Sequence, residues 1–560
     1  MHSFQNARAK NLPTMGNVLE AFQNFRNMIP KNDGIRKYKQ LIKNSYPTSF
    51  NGDSEAKISI TDREFDITNI NDSNITVEGI AQFRMDSGAS FVTTFAEEPN
   101  EAYNYIFVGF KSSAQCLRQI QLQINDRPDL CNFLNPNIAQ ESFMYQACSS
   151  ETKRENKPGM YSLWDDVWNK SPNVCGTYIK MSTIRLGGGI GTFRYKFIIP
   201  IMDILAFQAL DMFPSSIMGV LSLVVSFQFA SAVWCPVSWV AVKEQREYMD
   251  GPAGDFDEDV SFRDRQLPHQ FLQVGTEYGN CALTSDNTGH TNLTGMKMNI
   301  TSFTVEKLKA HLNGYNVIES TKQAIAQSIS SSPILIPAQK LERQTFGTGI
   351  ISSGAFDATI SYTPRNINCI SVMFTTHENN TTVYRNPMVR NLQMQIGNIQ
   401  FPPERTTTLA AISPEFVSNQ LTACELDGEI VPSKSFMRSL TNESIIYIID
   451  SAGNPVVTGR YANTRSDGTD FIYTVATERK QGGYVFDGLT EDGNVTINLK
   501  FEPISSNENF NTYYNYDPTN YPNKHPSAPT LHMCKDCFWV MGIGSDGPYM
   551  MFDDKTLDPV

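Results

Sequence analysis

Residues 118–125 read "RQIQLQIN", and residues 390–397 read "RNLQMQIG". In the first octet Ile120, Leu122 and Ile124 fall on one side of an extended chain, with Gln119, Gln121 and Gln123 on the other; Leu392, Met394 and Ile396 repeat the alternation. A period of two marks a half-buried strand, whereas a helix would bring its apolar positions round every 3.6 residues. Two neighbouring segments echo one another in the same order. "NYIFVGF" at 104–110 matches "NCISVMF" at 368–374, and "LSLVVSFQF" at 221–229 matches "VTINLKFEP" at 495–503. The three offsets are 264, 272 and 274 residues, and differences of that size are loop insertions, which surface connections tolerate. The pattern predicts that the chain doubles one β-rich unit.

A length of 560 residues agrees, because one hydrophobic core rarely serves so long a chain, and all-β units do reach 200–250 residues. Apolar residues make up 40% and charged residues 19%, an ordinary globular balance that leaves room for two buried cores. Turn chemistry predicts strands from 56 to 110 and a strand running into a short apolar helix or loop in "TFRYKFIIPIMDILAFQALDMFPSS". It also predicts a strand pair at 217–242, a short helix at 321–329 with Ser320 and Gln323 as a capping box, and strands again from "GAFDATISYT" to "NVTINLKFEP". The polar, Gly-rich run 251–292 reads as a linker or surface excursion. The expected division is a basic arm over 1–50, a first unit over 51–250, the excursion over 251–292, a second unit over 293–505 and a C-terminal extension over 506–560.

Charge is uneven. Residues 1–47 carry eight basic side chains against Glu20 and Asp33, which puts +6 there and −18 on the rest. A basic arm on an acidic body suits a polyanion or a membrane surface, and a solvated terminal segment is the plainer alternative. Val18, Phe22 and Phe25 have the spacing of one short amphipathic helix. The opening residues have no apolar signal-peptide core, so synthesis inside the cell and mostly reduced thiols among the ten cysteines are expected. The uncharged run 217–234 is nearly long enough to span a bilayer, but Ser222, Ser226 and Gln228 alternate through it and prolines bracket it, so buried strands are expected instead.

Catalytic and metal-binding patterns fail on spacing. "HENNT" at 377–381 has Thr381 where a zinc-protease helix needs its second histidine. Asp255, Asp257 and Asp259 open a calcium-loop pattern that Val260 and Gln266 break. "GGGIG" at 187–191 lacks the Gly-Lys-Ser/Thr of a phosphate cradle and reads as a turn or bulge. Cys534 and Cys537, with His532 nearby, have the spacing of a metal knuckle but no second pair, so buried thiols are the expected reading. No catalytic, cofactor-binding or metal-ligating residue is assigned, and no enzymatic activity is expected.

The order "FRYKFIIPIMDILAFQALDMFPSSIMGVLSLVVSFQF", "MNITSFTVEKL", "PILIPAQKLERQTFGTG", "NCISVMF", "VRNLQMQIGNIQFPPE" resembles the double jelly-roll major capsid proteins of the polinton (Maverick), adintovirus and virophage lineage of DNA viruses. The resemblance covers much of 103–405 and does not extend to the Tyr-rich loop at 507–530 or the "CKDC" end. It implies an all-β fold of two tandem jelly-roll β-sandwiches with long inserted loops. It further implies a viral structural protein of the virion whose homotrimers form pseudo-hexagonal capsomers tiling an icosahedral capsid. The implied partners are further copies of the chain, penton and minor capsid proteins, and genome DNA or an inner membrane against residues 1–47. The long loops 127–185, 251–292 and 403–445 would then build outer towers and contacts between capsomers. Two other readings stay open on sequence grounds: a β-sandwich carbohydrate-binding or adhesion protein, and a β-rich hydrolase.

Overall fold

A computed structural model describes residues 35–51, 54–86, 105–109, 116–134, 176–180, 190–207, 210–227, 234–237, 270–273, 277–278, 296–346, 356–377, 380–384, 389–406, 443–449, 451–452, 455–462, 472–477, 489, 493–503, 529–545 and 547–553. Eight strands recur twice. The first set is β1 (Ile35–Asn44), β2 (Glu55–Ser59), β3 (Ile67–Asp86), β4 (Leu117–Ile124), β5 (Arg127–Leu134), β6 (Ile190–Pro200), β7 (Leu221–Phe227) and β8 (Met296–Val317). The second set is β9 (Ile334–Thr345), β10 (Phe356–Tyr362), β11 (Ile367–Met373), β12 (Val389–Ile396), β13 (Ile399–Thr406), β14 (Ile472–Ala476), β15 (Val495–Pro503) and β16 (Thr530–Gly544).

In the first set one sheet runs β1-β8-β3-β6 and the other β2-β7-β4-β5. In the second set the orders are β9-β16-β11-β14 and β10-β15-β12-β13. Adding eight to every label of the first set gives the second. All of these neighbours are antiparallel, and each four-strand order interleaves early and late strands, as a jelly roll formed from two Greek keys does. The chain is therefore a tandem pair of jelly-roll sandwiches.

The repeated octets are β4 and β12, third along the matching sheets of the two sandwiches, with Ile120, Leu122, Ile124, Leu392, Met394 and Ile396 all buried. Their closing residues, Asn125 and Gly397, both take positive φ and start two-residue turns into β5 and β13. The pair 221–229 and 495–503 is also equivalent in its described residues, Leu221–Phe227 forming β7 and Val495–Pro503 forming β15. The third pair is not. Tyr105–Gly109 lies in a separate four-stranded sheet, while 368–373 lies in β11, whose counterpart is β3. Both segments alternate apolar residues, and alternation does not specify a partner.

Pairing also moves the expected boundaries. Arg36, Lys37, Lys39 and Lys43, placed in the arm by sequence, lie on β1, the edge of the first sandwich, which leaves residues 1–34 with four basic side chains against two acidic. The predicted amphipathic helix at 18–25 lies outside the described residues. Residues 296–317, expected to open the second unit, close the first: β8 runs along β3 from Lys297↔Asp86 to Tyr315↔Ile67 and along β1 from Lys309↔Asn44 to Val317↔Ile35. The link between sandwiches is therefore not 251–292 but a helix, α2 (Glu319–Ser331), which buries Ile325 and Ile329. Its N-cap is Ile318 without a side-chain cap bond, so the expected Ser320–Gln323 capping box does not form. Residues 530–553, expected as an extension, supply β16 and its hairpin partner β17 (Gly547–Asp553).

Successive strands reverse direction, so the connections divide between two ends. At one end β2→β3, β4→β5 and β6→β7 meet: the Ile60 amide donates to the Leu221 carbonyl (2.9 Å) and the Asn125 amide to that of Val220 (2.9 Å). There the Asn125 side chain accepts from the Val220 amide (3.0 Å) and donates to the Met218 carbonyl (3.0 Å). It packs on Gly219, whose φ of 102° and lack of a Cβ the close approach requires. The opposite end carries the insertions. Tyr105–Gly109 comes from β3→β4, Gly176–Lys180 from β5→β6, and Trp234–Val237 with Gln270–Gln273 from β7→β8; together they form the separate sheet. In the second sandwich the corresponding connections carry the hairpins Thr375–His377/Asn380–Tyr384 and Glu443–Ile449/Pro455–Ala462.

In the uncharged segment at 217–234 the described residues form the end of α1 (Ser215–Met218), then β7, and at Trp234 the start of a strand of the inserted sheet. Among the described residues no helix is long and apolar enough to cross a membrane. Among the described residues the expected pairing within 217–242 does not occur, because β7 lies between β2 and β4 while Trp234–Val237 joins the inserted sheet.

Candidate functional site at the junction of the two sandwiches

The residues singled out for chemistry in the sequence do not converge. His377 ends a short strand of a hairpin rather than standing on a helix. Asp255, Asp257, Asp259 and the glycines at 187–189 lie outside the described residues. His532, Cys534 and Cys537 all lie on β16; a strand sends residues three apart to opposite faces, so Cys534 and Cys537 are not aimed at a common ion. Both are buried and neither is in a disulfide.

What the fold builds instead is a continuous core between the sandwiches. After β6 the chain turns through two short 3₁₀ segments, Ile201–Asp203 and Leu205–Phe207, within the "IPIMDILAF" stretch, and reaches β7 through α1. Ile201, Ile204, Ala206, Phe207, Leu210, Phe213 and Met218 are buried there. The same cluster holds Ile334, Ile336 and Ala338 of β9, Cys537, Trp539 and Met541 of β16, Met550 of β17, and Ile325 and Ile329 of α2. Sheet length explains this reach. β16 is 15 residues long, its first six residues pair with β11, and beyond them β17 takes that side, so the sheet continues past its own sandwich.

Trp539 anchors the contact. It is fully buried, its ring stacks on Phe207 (5.9 Å between centroids, 14° between planes), and Phe552 meets it edge-on at 4.4 Å. Its indole N–H donates to the Ala206 carbonyl, which gives the one polar atom of the ring a partner in a dry setting. Sequence reading missed this residue because it lies in the segment assigned to an extension. The sole local signal was the apolar run "CFWVMGIG".

Where β16 passes from its own core, at Leu531 and Met533, to the junction, at Cys537, a polar seam intervenes. Lys535, 6% exposed, donates to Glu342 (2.8 Å) and lies 5.0 Å above the Tyr362 ring, and the Tyr362 hydroxyl donates to the same carboxylate oxygen (2.5 Å). Burial alone would raise the Glu342 carboxyl, but hydrogen bonds from Lys535 and Tyr362 and the charges of Lys535 and Lys340 outweigh it, holding the group below the usual carboxylate range. On the other face of β16, His532 sits opposite Arg343 on β9 and Ser371 on β11. Burial, reinforced by the Arg343 charge, pushes His532 down to about 3, so the imidazole is neutral. Among the described residues its Nε2 has no hydrogen-bond partner.

The geometry of the junction offers rigid attachment of one sandwich to another. No family model and no curated protein matches the chain. Among solved structures it is similar to the Sputnik virophage structure determined by cryo-electron microscopy, with 10% identity over 94% of this chain and 90% of that one (TM-score 0.46). It is also similar to the mavirus major capsid protein, with 10% identity over 95% and 93% (TM-score 0.41), and to the Faustovirus major capsid protein, with 9% identity over 91% and 91% (TM-score 0.37).

Proposed function

We propose that the chain is a viral major capsid protein, a structural building block whose homotrimers form pseudo-hexagonal capsomers of an icosahedral shell. The observation that carries this reading is the repetition of one strand order in two sandwiches locked by a shared core. Three such chains around an axis present six nearly equivalent sandwiches, and six-fold repetition is what a hexagonal lattice needs from a trimer. The insertions at one end of each sandwich supply variable contacts there, while the sandwich walls stay regular.

On this reading the working location is the virion, and the first partner is another copy of the chain. Penton and minor capsid proteins fill the vertices and seams of such a lattice. A role for residues 1–47 in holding genome or membrane would fall to residues 1–34, since β1 takes the rest into the sandwich wall.

Light scattering on the purified chain, followed by negative-stain microscopy, tests the proposal. Trimers, or shells faceted with hexagonal units, are the expected result. A stable monomer retained on immobilised glycans would overturn it in favour of a sugar-binding role, and turnover of any glycan would overturn the non-catalytic reading.

A further inference from the structure

We propose that Cys369 and Cys534 form a disulfide modification site, a covalent latch between β11 and β16. The two cysteines are direct cross-strand partners, immediately after the bulge between Ile367 and Cys369. Directly opposed residues of an antiparallel pair point to the same face, so both thiols lie on the side of the sheet facing away from the Ile370, Val372 and Met533 core. Opposed Cα atoms are about 4.5 or about 5.5 Å apart, depending on which kind of pair they form, and both values fall inside the range a disulfide spans. Directly opposed residues hold their Cβ atoms about 4.5–5.5 Å apart, the near end of which meets the about 3.5–4.5 Å that a disulfide takes, so a small approach of the two strands closes the bond.

Neither cysteine is in a disulfide, and they are 5% and 1% exposed. Exchange therefore proceeds when the β11–β16 pairing opens locally, or before it closes during folding. The oxidant is a small-molecule disulfide. The thiolate of one cysteine, having lost its proton to water, attacks that disulfide and releases one small thiolate; the other cysteine, deprotonated in turn, attacks the mixed disulfide and releases the second. One protein S–S bond forms, one reagent S–S bond breaks, and two electrons pass to the reagent, whose two thiolates take up the protons.

The latch would tie the last core strand of the second sandwich, which also carries Trp539 into the junction, to the strand beside it. A chain made in reducing surroundings stays open to rearrangement. Once exposed to oxidising surroundings it becomes covalently closed.

The test incubates the reduced full-length chain with oxidised glutathione at a denaturant concentration below its unfolding transition. Remaining thiols are then alkylated, and peptides are mapped without reduction. The expected product joins the Cys369 and Cys534 peptides and weighs two hydrogens less than the pair of thiols. The oxidised protein should melt several degrees higher, and dithiothreitol and Cys369→Ala should each abolish that rise. Recovery of both cysteines alkylated, capped by glutathione or joined to other cysteines overturns the proposal. The map of the unmutated chain decides the matter even where an alanine variant fails to fold.

Discussion

Trp539 joins three roles at one position: it fills the space between the sandwiches, stacks on Phe207, and satisfies the Ala206 carbonyl. Trp539→Ala should cost about 3–5 kcal/mol, the range for emptying a large aromatic site, and Trp539→Phe less, by keeping the stack and losing the hydrogen bond. Urea unfolding curves of the two variants check the order. His532 makes stability depend on pH with a defined sign. Its folded value lies below its unfolded value near 6.5, so the unfolded chain takes up the proton first. That contribution is complete above about pH 6.5 and is lost as pH falls toward 3. Between pH 7 and pH 5 the unfolding free energy should drop by on the order of 2 kcal/mol, and His532→Gln should flatten that stretch of the profile. Glu342 acts lower on the scale: its depressed carboxyl stabilises the fold at neutral pH and loses that effect once acid protonates it below the ordinary carboxylate range.

Among the elements, the β16–β17 hairpin and the turn at Asn125 bear the most specific consequences. Ending the chain at residue 545 removes Met550 and Phe552, which pack on the junction, and leaves one side of Phe538–Gly544 without its strand. Dye binding to exposed apolar surface should increase, and the melting temperature should fall. The truncation should also promote aggregation, since an uncovered strand edge is a template for pairing. At the opposite scale of change, a single methyl group suffices. A Cβ at Gly219 would lie 2.0 Å from the Asn125 side-chain oxygen on a backbone with φ of 102°, so Gly219→Ala should destabilise the first sandwich by about 1–3 kcal/mol, measurable by thermal unfolding.

For the whole molecule, the decisive fact is that the first sandwich and the junction form one buried cluster reaching into the second unit. The two sandwiches should therefore unfold in a single calorimetric transition; two resolved transitions would contradict the shared core. Local sequence determined the strands. β4 and β12, and β7 and β15, were legible as equivalent pairs because a period of two and the turn residues Asn125 and Gly397 are written in consecutive positions. The same signal misled at 104–110, where an inserted strand alternates as well as a core one. The tertiary structure alone decided which strand closes which sandwich: β8 completes the first from beyond residue 295, and β16 completes the second from beyond residue 529. A backbone edge is satisfied by any strand in register, so partner choice over hundreds of residues rests on the total apolar surface buried, to which no short stretch contributes enough to reveal the answer. The junction around Trp539 was hidden for the same reason, since the Phe207 and Ala206 it meets lie more than 300 residues earlier in the chain.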